Sequence, residues 1–79
     1  MKHGLLSITL FFFTAVLHAQ SWKQLNDSLL YYYKNGNYTA ALGIADRGVI
    51  QAKKEFGPEN KIYATSLNNL AQLYMTMGN

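Results

Sequence analysis

One helix-and-turn segment occurs twice in this 79-residue chain, 42 positions apart. LNDSLLYYYKNGN fills 25–37 and LNNLAQLYMTMGN fills 67–79. The two are identical at Leu25/Leu67, Asn26/Asn68, Tyr32/Tyr74, Gly36/Gly78 and Asn37/Asn79, and similar at Asp27/Asn69. Any two amphipathic helices share an apolar period. They do not ordinarily share a turn glycine at a fixed distance from the same tyrosine. A period in this range points to one supersecondary unit that is copied and stacked, each copy burying its apolar face against a neighbour.

Hydrophobic spacing fills in the unit. Trp22, Leu25, Leu29 and Tyr32 recur every three or four residues, as one face of a helix does. Asn35-Gly36-Asn37 ends that run; Gly36 suits the left-handed position after a helix, where a side chain would clash. Thr39 is then the expected cap of a second helix, whose apolar face is Ala41, Leu42, Ala45, Gly48, Val49, Ala52 and Phe56. Glycine inside a helix costs about 1 kcal/mol relative to alanine, so Gly48 predicts close approach of a neighbouring backbone. Phe56-Gly57-Pro58-Glu59-Asn60 breaks the pattern, with Pro58 suited to the first turn of a third helix. That helix carries Tyr63, Leu67, Leu70, Ala71 and Tyr74 before Gly78-Asn79 repeat the turn. Tyr31-Tyr32-Tyr33 is β-prone locally, but it lies within a helical period. The expected fold class is all-α, with three helices and two short turns.

The first residues predict a compartment. Lys2 and the amino terminus precede an uncharged, mostly apolar stretch from Leu5 to Leu17, followed by His18-Ala19-Gln20. This is the layout of a secretory signal peptide. The stretch is shorter than the roughly 20 apolar residues that span a bilayer. Cleavage is expected near Ala19, with Leu17 bulkier than the residue usually found three positions before a cut. Residues 1–19 are therefore read as a leader, and the protein as exported to a periplasmic or extracellular space. The chain has no Cys, so neither a lipidated cysteine nor a disulfide is available.

Residues 20–79 hold Lys23, Lys34, Arg47, Lys53, Lys54 and Lys61 against Asp27, Asp46, Glu55 and Glu59. The small positive balance forms no basic stripe of the kind nucleic acid requires. His3 and His18 both lie in the leader. The remainder thus lacks the usual zinc ligands, a thiol nucleophile and a histidine base. No glycine-rich phosphate loop occurs, and Ser28 or Ser66 with a lysine would make only a formal dyad. These residues predict no enzyme, no cofactor, no metal and no small-molecule substrate.

The stretch ALGIADRGVIQAKKEFGPENKIYATSLNNLAQLYMTMGN resembles the tetratricopeptide repeats, and is most similar to the 42-residue variant found in kinesin light chains. Ala41-Leu42, Gly57-Pro58-Glu59 and the run Ala64 to Ala71 fall at that variant's spacing. Ala45 stands where the family usually has an aromatic, Gly48 where it has alanine, and Asn60-Lys61 where it has His-Pro. The resemblance implies antiparallel helical hairpins of a right-handed solenoid, one and a half repeats long. A first hairpin would span 20–57, and the first helix of a second, truncated repeat would span 58–79. The implied repeat core is Leu25, Tyr32, Gly36, Ala41, Leu42, Leu67, Leu70, Ala71, Tyr74 and Gly78. With no fourth helix, part of the third helix's apolar face, including Leu70 and Tyr74, is expected to be exposed.

In this family the first helix of each repeat lines a concave groove that binds a partner peptide. The corresponding positions here are Lys23, Asn26, Leu30, Tyr33 and Lys34, then Thr65, Asn68, Gln72, Met75 and Thr76. Amides can pair with a peptide backbone, tyrosine and methionine offer adaptable apolar area, and the lysines favour an acidic ligand. The implied function is an exported protein–protein interaction module, the N-terminal part of a longer repeat protein. Two alternatives stay open. The segment could serve as the sensor or scaffold of a larger enzyme, a caspase-like peptidase or a sensor kinase, or it could be a self-associating structural piece. The expected partner is a protein or peptide, with a membrane contact only through the leader if that is retained.

Overall fold

The computed structural model describes residues 20–78, and these form three α-helices and no strand: α1 (Trp22–Lys34), α2 (Tyr38–Phe56) and α3 (Lys61–Thr76). The expected leader and its cleavage point after Ala19 lie outside the described residues, as does Asn79. No helix among the described residues is long and apolar enough to cross a membrane.

Each helix begins at a side-chain cap. Ser21 opens α1 with a capping box: its hydroxyl accepts from the Gln24 N–H at 3.2 Å, and the Gln24 side chain accepts from the Ser21 N–H at 2.9 Å. The two bonds satisfy donors that the helix itself leaves free. Asn37 caps α2 by accepting from the Ala40 N–H at 3.2 Å. Thr39, the expected cap, instead sits exposed in the first turn. Asn60 caps α3, accepting from the Ile62 N–H at 2.8 Å. Pro58 therefore belongs to the connecting turn rather than to the first turn of α3, because Asn60 supplies the oxygen that starts the helix two residues later.

Between α1 and α2 the chain reverses on Gly36, at φ +75°. Its N–H donates to the Tyr33 carbonyl and the Asn37 N–H to the Tyr32 carbonyl, the paired bonds of a Schellman motif. Its counterpart Gly78 has φ +80°, so the repeated turn has a repeated conformation.

α1 and α3 both pack on α2. The start of α1 meets the end of α2: the Trp22 N–H donates to the Glu55 carboxylate at 2.6 Å, and the Trp22 ring meets Phe56 edge-on. α1 and α2 are therefore antiparallel. The start of α3 lies near the end of α2, where Tyr63 adjoins Val49 and Lys53. Leu73, late in α3, joins Ala41 and Ile44 from early α2. α3 thus also runs antiparallel to α2, and so parallel to α1.

The core is one cluster of Leu25, Leu29, Ala41, Ile44, Ala45 and Leu73, flanked by half-buried Tyr32, Tyr38, Leu42 and Leu70. Leu25 and Ala41 are buried, and Tyr32, Leu42 and Leu70 are half-buried, so Leu70 is better covered than the exposure expected of it. Leu67 and Ala71, expected in the repeat core, are exposed, and Tyr74 is exposed as expected of the uncovered part of the third helix. The inner face of α3 is instead Ile62, Ser66, Leu70 and Leu73, rotated by about one residue, or about 100°. Leu73 is 1 % exposed and Tyr74 40 %. Ile44 also belongs to the core, whereas Phe56, expected on the apolar face of the second helix, is exposed and meets the Trp22 ring.

Gly48 is buried, but a methyl group built there would meet nothing within 4 Å. No backbone presses against it. Gly48→Ala should therefore stabilise the chain by about 1 kcal/mol, from helix propensity alone. Leu73→Ala should cost about 2–5 kcal/mol through lost burial and a cavity, whereas exposed Tyr74→Ala should cost about 1 kcal/mol or less. Urea unfolding of the three variants checks both rank and sign.

Candidate groove between the first and third helices

Because α1 and α3 are parallel and share α2 as support, a groove runs between them. Leu29 and Leu73, both buried, form its floor. Leu30 and Tyr33 rise from α1, and Asn69 and Gln72 rise from α3. The open cleft between the walls has a volume of about 80 Å³, on the scale of one modest side chain. One wall is apolar and aromatic, and the other carries two primary amides. Each amide has both donors and acceptors to offer.

One end of the groove is tied across, and at the other its α1 wall is braced on α2. At the start of α1 the Trp22 indole N–H donates to the Ser66 hydroxyl at 2.7 Å, and that hydroxyl donates to the Ile62 carbonyl at 2.9 Å. Ser66 is 4 % exposed, and this chain of bonds satisfies it. At the other end Tyr33 packs on Tyr38, ring centroids 5.4 Å apart. A smaller crevice of about 10 Å³, room for about one water, continues toward α2 past Asn26, Gly48 and Ser66. Asn69 lines both spaces. A broader depression of about 440 Å³ between α2 and α3 is bounded by Val49, Ile50, Lys53, Lys54 and Tyr63. It brings no amide or hydrogen-bonding cluster together.

Of the expected groove residues, the structure gathers Leu30, Tyr33 and Gln72. Asn26 is half-buried and reaches the adjoining crevice. Lys23 is exposed and paired with Asp27 at 2.9 Å. Lys34 is exposed at the last position of α1, and Thr65, Asn68, Met75 and Thr76 are exposed on α3 outside the groove lining. The Thr76 hydroxyl donates to the Gln72 carbonyl of its own helix. Asn69 and the Trp22–Ser66 bond are features of the groove that the sequence reading did not single out. Asn69 sits three residues from Ser66 and four from Leu73, a spacing that marks the α2-facing side once Ser66 is recognised as interior.

Among the described residues no group of three or more His, Cys, Asp or Glu side chains could hold a metal ion. Comparison with protein-family models, curated proteins and solved structures gives no match.

The indole–hydroxyl bond ties the two groove walls directly. Trp22→Phe and Ser66→Ala should each cost about 1 kcal/mol. The double variant should cost less than the sum of the two, because either change alone breaks the same bond. A thermal-unfolding double-mutant cycle with no coupling would show that the bond does not tie the walls.

Proposed function

We propose that this chain is an exported interaction module of the tetratricopeptide-repeat kind that holds a partner peptide in the groove between α1 and α3. The observation that carries the reading is the pairing of an apolar floor and Tyr33 with the amides of Asn69 and Gln72 across a narrow gap. An extended peptide needs both elements. One of its side chains enters the apolar space, and its backbone N–H and C=O groups pair with amides that can give and accept.

Three further features support the reading. The 42-residue repeat supplies two helix-turn units of like conformation. The parallel α1 and α3 stand on one shared helix, the arrangement expected of the first helices of successive repeats. The leader pattern in 1–19 supports export. The volume favours one small branched or proline side chain as the anchor of the peptide, and uncompensated Lys34 favours an acidic residue beside it.

The test is selection of a displayed peptide library on the full chain, followed by affinity measurements on synthetic hits. Tyr33→Ala and Gln72→Ala should each weaken selected peptides about tenfold while helicity by circular dichroism is retained. Hits that bind both variants as tightly as the parent would remove the groove as the binding site.

A further inference from the structure

The turn between α1 and α2 holds a reactive pair of residues that the groove does not use. Asn35-Gly36 is the one asparagine–glycine step in the chain. At such a step the Gly36 backbone nitrogen, once it loses its proton, can attack the side-chain carbonyl carbon of Asn35. A five-membered succinimide forms and ammonia leaves. Water then opens the ring at one carbonyl or the other, giving aspartate or isoaspartate. Glycine matters because a Cβ on the following residue crowds the attack. Asn26, Asn37, Asn60, Asn68 and Asn69 are all followed by residues with side chains. Asn35 and Gly36 are both exposed to the water that the reaction consumes.

The folded turn opposes the first step. Ring closure needs the Gly36 nitrogen to swing beside the Asn35 Cβ about the Cα–C bond. At ψ 5° it instead eclipses the backbone nitrogen of Asn35 itself. Its N–H is donated to the Tyr33 carbonyl at 3.1 Å, and the next N–H, of Asn37, is donated to the Tyr32 carbonyl at 2.9 Å. The Asn35 side chain is turned back onto α1, where Nδ2 donates to the Tyr31 carbonyl at 2.7 Å. Bringing nucleophile and amide together breaks all three bonds.

The amide is not needed to make the turn. In the second copy Met77 stands where Asn35 does. Its φ −82° and ψ −4° match the −90° and 5° of Asn35, and Gly78 follows with a positive φ like that of Gly36. The fold accepts an inert residue at this position, so Asn35 adds a chemical property rather than a shape.

We infer that Asn35 is a covalent modification site held latent by the closed α1–α2 turn, converting to aspartate and isoaspartate through Gly36 when the turn opens. The product does not restore the original turn. A carboxylate cannot donate to the Tyr31 carbonyl, and it puts negative charge at the end of α1 where the helix already presents its free carbonyls. Isoaspartate also adds a methylene to the main chain between Tyr33 and Tyr38, whose ring contact braces this end of the groove. The modification thus records opening of the turn, whether or not the groove binds a peptide.

The full chain is incubated beside a synthetic peptide of residues 31–38 in the same mildly alkaline buffer, and Asn35 is followed by peptide mapping with mass spectrometry. Isoaspartate should form in the peptide, and on the order of tenfold or more slowly in the folded chain, because only the open fraction reacts. Tyr38→Ala removes the ring brace and should speed the folded chain several-fold toward the rate of a peptide carrying the same change, with helicity retained. Asn37→Ala, which removes the α2 cap, repeats the test if Tyr38→Ala loses helicity. Asn35→Gln should abolish the product in chain and peptide alike. Conversion of Asn35 as fast in the chain as in the peptide would overturn the inference. So would a loosened variant no faster than the parent, or another asparagine converting first in the parent chain.

Discussion

The small-residue face of α2 is the constraint on which everything else rests. Ala41, Ala45 and Ala52 are almost completely buried, and Gly48 is buried beside them. Side chains of this size let two helices approach α2 closely, one on each flank. Leu25 and Leu29 enter from α1 and Leu73 from α3, and they meet over Ala41, Ile44 and Ala45. Larger residues on α2 would push α1 and α3 apart and open the groove between them. The core and the candidate site therefore share one cause.

The helical framework was legible because its signals are local. Period, turn glycine and breaker each act within a few residues, and all three helices follow from them. The caps escaped the sequence reading. Ser21 with Gln24 and Asn37 with Ala40 are short-range bonds, but the expected cap, Thr39, offers a competing oxygen two residues from Asn37. What the sequence could not settle was which way α3 turns. It has two overlapping apolar sets, one through Leu67, Ala71 and Tyr74 and another through Ile62, Leu70 and Leu73. The second set contains Ser66, a polar residue that residue type alone would not place in a core. Its hydroxyl donates to the Ile62 carbonyl of its own helix, and the long-range bond from Trp22, 44 residues away, supplies its remaining partner; no periodicity argument contains that second bond. Gly48 misled for a similar reason: whether a missing side chain accommodates a neighbour or leaves a gap depends on tertiary contacts.

The same rotation explains why the groove was partly legible. Leu30, Tyr33 and Gln72 are among the groove positions that the family resemblance implies, and the structure gathers them. Asn69 joins them only when Leu73 points at α2, because that turns the Asn69–Gln72 edge of α3 toward α1. Asn68, the asparagine that recurs between the copies, moves outward by the same turn. Repetition in sequence thus marks a position in the repeat, while its use is fixed by the packing of the particular helix.

The two surfaces of α3 are physically linked. The groove lies on one side of its inner face and the Leu67–Ala71–Tyr74 stripe on the other, so the helix that contributes Asn69 and Gln72 also carries a bare apolar flank. A core of seven buried apolar side chains is small for three helices, and small cores leave little stability in reserve. Local opening is easiest where cover is thinnest, which places it at α3.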